Sequence, residues 1–316
     1  MTHTQAQAAT LTLVRKRNSS GFWAVGKYAA RYNAGFTLRG RTQDVTTHLT
    51  SAPDSMLGLW KHRQLIRSLA WREILGRYRG SAGGMVWSLV TPVLMLAVYT
   101  AVFSGIFQAR WSQEASSPAD YALQLFVGLL IHGLVAECLN RSPVLIVSNV
   151  SYVKRVVFPL ATLPIVTLLS AMFHFLIGVA VLLAFQLYFH GTLQWTLFWL
   201  PVVLLPYLVL LMGISWILAA LGVYLRDINQ LTGLLTLILM FLSPVFYPAS
   251  ALPERFRGIF QLNPLTLIIE QARDVILNGR APDLFALGLY LLMGLVVCWL
   301  GYRLFSIMKR GFADVL

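Results

Sequence analysis

Side chains that could do covalent chemistry are sparse in this sequence: 12 Asp and Glu, 6 His and 2 Cys among 316 residues. Glu254, Glu270 and Asp274 fall in one late segment and His190 in a distant turn. No spacing among them singles out a general acid and its base, so no catalytic residue is assigned. Cys138 and Cys298 sit singly in apolar runs, which gives packing roles and no metal site. The phosphate-cradling pattern G-x-x-x-x-G-K-[ST] does not occur, so the chain has no recognisable means of holding ATP. His132 and His174 are lone histidines in apolar surroundings and read as packing or polar glue. Glu137 and Arg141 carry more information. They are spaced i,i+4 with the acid first, a favourable helical pair, inside a run where ionisable residues are functional suspects. They read either as a self-satisfied pair or as a gate or lipid-headgroup contact.

Such residues must be positioned by membrane helices. The chain is 57% hydrophobic and 12% charged, with a mean hydropathy of +0.68, against roughly 25% charged residues in soluble proteins. The net charge of +13 does not point to nucleic acid, because about half of the basic residues precede the first long apolar run, where they act as topology signals. A span needs about 20 apolar residues. The fold class is therefore an all-α integral membrane protein with six transmembrane helices: 85–107, 121–147, one starting near Pro164 after a short lead-in element at 158–163, 192–225, 231–247 and 284–304. Lysines and arginines before span one, after spans two and four, and in the tail place both termini on the cytoplasmic side. Residues 1–55 lack an apolar core for a secretory signal and read as a mobile cytoplasmic extension.

Two further elements do not span. In 56–84, Trp60, Trp71, Ile74 and Tyr78 fall on one face at 100° per residue beside a basic stripe of Lys61, Arg72 and Arg79. That pattern predicts an amphipathic helix in the headgroup layer, followed by a glycine-rich turn into the 85–316 membrane domain. In 249–281, Pro244 and Pro248 interrupt span five just upstream, and Asn263-Pro264 and Asn278-Gly279 are helix start and stop signals. The helix between them is too short to cross at 1.5 Å per residue. Its Leu265, Ile268, Ile269, Ala272 and Ile276 share one face, while Glu270, Arg273 and Asp274 share another. Two short re-entrant helices over 252–278 are expected, an outer gate formed by Pro244, Pro248, Glu254, Arg257, Glu270, Arg273 and Asp274. An amphipathic surface loop is the other reading.

Five stretches in this order resemble the ABC-2 type permeases that export lipid-linked polysaccharides such as O-antigen, capsule and teichoic acid. They are ILGRYR (74–79), NVSYVKRVVFP (149–159), RDI (226–228), SPVFYP (243–248) and NP (263–264). The resemblance covers about 57–309; the long N-terminal segment and the Glu137/Arg141 pair depart from it. It implies an inner-membrane permease of a bacterium, paired with a second copy of itself and with two separate ATPase subunits that bind ATP and magnesium, with no cofactor in this chain. It also implies that Asn149, Tyr152, Val153, Lys154, Arg155 and Phe158 form a coupling helix for the ATPase, and that spans one and five line the channel. Arg226 and Asp227 read as a hinge or as a further ATPase contact. On the channel-lining spans, Tyr99, Phe103 and Phe107 recur every four residues, and Phe241, Phe246 and Tyr247 crowd together. Aromatic faces suit the C–H faces of a sliding sugar polymer, and equally an interfacial aromatic belt. Two other classes remain in view. A secondary transporter would show repeats and midplane ionisable groups. A membrane-embedded glycan polymerase or ligase would bring outer-side acids together.

Overall fold

The computed structural model describes residues 56–106, 118–154, 158–248, 258 and 263–316, and every regular element among them is helical. A 3-10 turn, Met56–His62, leads into α1, Arg63–Tyr78. Gly80, at φ 87°, then turns the chain toward α2, Trp87–Tyr99, which continues as a π turn, Thr100–Ile106. α3 is Pro118–Arg141, α4 is the single turn Val150–Val153, and α5 is Thr162–His190. α6, Leu200–Tyr224, is followed by α7, Ile228–Leu242. α8, Pro264–Arg273, continues as a π turn, Asp274–Asn278, and α9, Leu284–Met308, precedes a last turn, α10, Phe312–Val315.

Among the described residues, five helices are long and apolar enough to cross a membrane: Gly84–Phe103, Ala119–Arg141, Thr162–His190, Trp195–Tyr224 and Leu284–Val315. The expected second span stops at Arg141 rather than 147. The lead-in at 158–163 is a turn, not an element of its own: the Pro159 carbonyl accepts from the Thr162 N–H at 2.9 Å, and the helix starts there. The expected fifth span, 231–247, is also corrected. α7 begins at Ile228 and ends at Leu242, and its 15 residues give about 22 Å, short of the roughly 30 Å hydrocarbon core. The cause is local. A residue before proline is pushed out of helical geometry, and Ser243, ahead of Pro244, is extended at φ −103°, ψ 153°. Pro244 thus ends the helix instead of kinking it.

α3 is the centre of the bundle, packed against α5, α7, α8 and the π turn after α2. Its Leu123, Phe126, Val127 and Ile131 are buried in the main core with Leu265, Ile268 and Ile269 of α8. α6 and α9 approach most closely, backbone on backbone. A Cβ added to Gly213 would sit 2.6 Å from the Cys298 backbone, so only glycine permits this crossing. α1 lies on α5 through Ile66, Leu69 and Ala70 against Val166. By contrast α2 and α7 leave apolar side chains such as Leu89, Val93, Leu234 and Ile238 uncovered.

Candidate functional site

Two polar assemblies sit at opposite ends of α3. At its start, the break after α7 is filled by α8. Asn263 caps α8, its side-chain oxygen accepting from the Leu265 N–H at 2.9 Å, while its amide nitrogen donates back to the Leu242 carbonyl at 3.0 Å and the Ser243 hydroxyl at 2.9 Å. Arg273 is 4% exposed. Its guanidinium donates to three backbone carbonyls: Gln124 at 2.9 Å, Pro244 at 2.6 Å and Val245 at 3.1 Å. Gly128 of α3 leaves the room, since a Cβ there would lie 2.9 Å from the Arg273 Nη2. The expected face pattern, which put Arg273 on a polar outer surface with Glu270 and Asp274, is therefore overturned for Arg273. The break frees carbonyls that helix bonds would otherwise hold, and a planar fork of donors reaches several at once. Glu270 and Asp274 stay half-buried, and Asp274 accepts from Asn278 at 2.9 Å. The π turn is tied down as well, by Gln186 to the Ile276 carbonyl at 3.1 Å and Thr196 to the Val275 carbonyl at 2.8 Å. This segment is built into the core and is not a surface loop. Pro248 is described and half-buried; Glu254 and Arg257 lie outside the described residues.

The aromatic residues gather beside this assembly. Tyr99 and Phe103 have ring centroids 6.4 Å apart, and Phe241 stacks on Phe246 at 5.9 Å. The Tyr247 hydroxyl donates to the Phe241 carbonyl at 2.7 Å. Phe107 lies outside the described residues. Tyr121, which the sequence reading passed over, joins the two groups: its ring stacks on Phe103 at 5.3 Å, and its hydroxyl donates to the Phe246 carbonyl at 2.7 Å. Its position four residues into α3 gave no periodic signal.

At the far end of α3, Glu137 accepts from Arg141 at 3.0 Å, as the i,i+4 spacing predicted, and also pairs with Arg77 of α1. Arg141 in turn pairs with Glu73 of α1. His174 of α5 places Nδ1 3.4 Å from Arg77 and 3.9 Å from Glu137. The self-contained pair is thus the centre of a network linking three helices. Burial raises the Glu73 carboxyl above its ordinary range, and the Arg141 charge offsets part of that rise.

The predicted coupling segment adjoins this network. Asn149 donates to the Leu145 carbonyl at 2.9 Å, and α4 is one turn long. Tyr152 and Phe158 stack at 4.3 Å with an 8° interplanar angle, and the Tyr152 hydroxyl accepts from Arg72 of α1. Tyr152, Val153 and Phe158 are partly buried against the bundle. Lys154 is exposed, and Arg155 lies outside the described residues. Arg226 and Asp227 are exposed in the turn between α6 and α7, where the Asp227 carbonyl accepts from Gln230 at 3.0 Å. Within the expected face of Trp60, Trp71, Ile74 and Tyr78 the exposure differs. Ile74 is buried and Tyr78 half-buried near His174, whereas Trp60 and Trp71 are 74% and 52% exposed.

Sequence comparison gives this geometry a context. Residues 64–277 match the ABC-2 type transporter family. An O-antigen export system permease protein of Klebsiella pneumoniae is 26% identical over 248 residues, covering 78% of this chain and 92% of that protein. One of Myxococcus xanthus is 26% identical over 258 residues, 81% and 96% of the two chains. A polysialic acid transport protein of Escherichia coli is 24% identical over 246 residues, 76% and 92%. The family match runs from α1 through the π turn after α8 and so takes in both polar assemblies; the chain belongs to the ABC-2 type transporter family.

Proposed function

We propose that the chain is the permease subunit of a bacterial inner-membrane ABC transporter that exports a lipid-linked polysaccharide, driven by two copies of a separate ATPase subunit. The observation that carries this reading is the near full-length similarity to permeases named for O-antigen export and polysialic acid transport. In this reading α7 serves as a short sixth membrane helix whose missing length is made up by α8, which forms the re-entrant region on the outer side; the first of the two expected short helices lies outside the described residues. Burial of α8 in protein is what makes irregular backbone at membrane depth tolerable. Both termini and α1 lie on the cytoplasmic side, with α1 in the headgroup layer. Two copies meet through the uncovered faces of α2 and α7, and the polymer slides past Tyr99, Phe103, Phe241, Phe246 and Tyr247.

Movement enters at the coupling segment. The exposed Lys154 is placed to meet the ATPase, which holds the ATP and magnesium. Arg72 on Tyr152 passes a displacement of that segment to α1, and the Arg77, Glu137, Arg141 and Glu73 network passes it to α3. The opposite end of α3 carries the carbonyl that Arg273 holds. A cell lacking its own polysaccharide-export permease should regain surface polysaccharide when this chain is co-expressed with a matching ATPase, and Lys154→Glu should weaken export. If transport in vesicles instead follows an ion gradient and ignores ATP, the chain is a secondary transporter and this reading fails.

A further inference from the structure

Beneath α1, on the side away from the charge network, runs a groove of about 1220 Å³. Its walls are apolar side chains of α1, α5, α6 and α9, among them Leu169 and Cys298, with Trp60 and Trp71 exposed along it. Arg63 and Arg67 also line it. They are one helical turn apart, so both guanidinium groups address the same stretch of groove. Both are exposed, and among the described residues no carboxylate pairs with either. Two other arginines of α1 differ: Arg72 is bonded to Tyr152 and Arg77 to Glu137.

We propose that this groove is a binding site for one anionic membrane phospholipid, its phosphate held by Arg63 and Arg67 and its acyl chains laid against α5, α6 and α9. A guanidinium fork matches a phosphate bidentately, and basic pockets between membrane helices on the cytoplasmic side hold anionic headgroups. Flanking tryptophans sit at headgroup depth. The volume exceeds the roughly 300–1,000 Å³ of small-molecule pockets, as two acyl chains require. The lining includes no residue of α2 or α7, the helices assigned above to the polymer path, which favours a resident phospholipid over the lipid anchor of the transported glycan. Such a lipid would fix the depth and tilt of α1, and through it the charge network on α3. This site rests on the reading of α1 as a cytoplasmic interfacial helix.

The full chain, purified in mild detergent, is titrated with dioleoylphosphatidylglycerol or dioleoylphosphatidylcholine and the bound lipid read by native mass spectrometry. The wild type should retain the glycerol lipid on the order of tenfold more tightly, as two basic groups near a headgroup imply. R63Q/R67Q should abolish the preference and R63K/R67K should keep part of it. Leu169→Trp, which narrows the groove without touching charge, should weaken both lipids, so the site stays testable if the double glutamine variant fails to fold. Equal retention of both lipids by the wild type, unchanged preference in R63Q/R67Q, or preferential retention of a polyprenyl diphosphate would each overturn the site. A Gln64→Cys label in a C138S/C298S background separates the two readings. Labelling from outside intact cells overturns the placement of α1, and the site with it; labelling only in inverted vesicles, together with no lipid preference, overturns the site alone.

Discussion

The two ends of α3 solve the same problem, fixing neighbouring elements to a central helix, by different means. At the α1 end, charged side chains pair with one another while remaining partly exposed: Arg77 and Arg141 keep about a third of their side-chain surface, and Glu137 keeps 17%. At the α8 end, one buried arginine donates to three backbone carbonyls. Exposed pairs are worth about 0–1 kcal/mol each and can exchange partners. A buried arginine on carbonyls cannot, because each acceptor it leaves costs about 1–3 kcal/mol of unrepaid desolvation. The α1 end is therefore suited to being shifted in each cycle. The α8 end is suited to holding the broken α7 in one shape.

The largest expected effect follows from this contrast. Arg273→Met removes the donors from the Gln124, Pro244 and Val245 carbonyls together, and thermal unfolding of the purified chain should show a loss of several kcal/mol, on the order of 3 or more. Arg273→Lys should restore little, since the three donors of an ammonium radiate from one nitrogen, whereas the three carbonyls are held by three separate guanidinium nitrogens. Wild-type stability in Arg273→Met would erase the difference between the two ends. Next in size, Gly128→Val should force the guanidinium off its acceptors and cost about 1–3 kcal/mol as an overpacked core site does. At the other end Glu137→Gln removes the shared acid and leaves Arg77 and Arg141 adjacent. A loss near 1 kcal/mol is expected, together with slower export at normal assembly, and the stability difference should shrink in high salt. If export is untouched, the network is a tether and not a relay.

The smallest effect concerns Glu73. Its raised pKa means that the fold disfavours the ionised form. That penalty is absent below the ordinary value of 4.5 and complete once the pH has passed the raised one. Glu73→Gln should therefore keep or slightly raise the unfolding temperature at pH 7 and show no gain at pH 4. A clear loss at pH 7 would mean that its pairing with Arg141 outweighs its burial, bringing the α1 end closer in character to the α8 end.

What the sequence alone determined was membership in the membrane class, the position of the apolar helices and several of their ends. Hydrocarbon length and backbone chemistry are read directly from residue type. Gly191 and Gly279 adopt left-handed conformations at φ 69° and φ 68°, and Asn263 caps α8, where those residue types demand it. The i,i+4 bond of Glu137 with Arg141 was equally local. The burial of Arg273, the bridge made by Tyr121, the inward turn of Tyr152 and the groove below α1 were decided only by tertiary structure. Helical periodicity assigns a side chain to a face but says nothing of what that face meets. The partners that matter most, the Pro244 and Val245 carbonyls, are backbone groups carried by every residue, so no side-chain pattern can mark them before the chain has brought α3, α7 and α8 together.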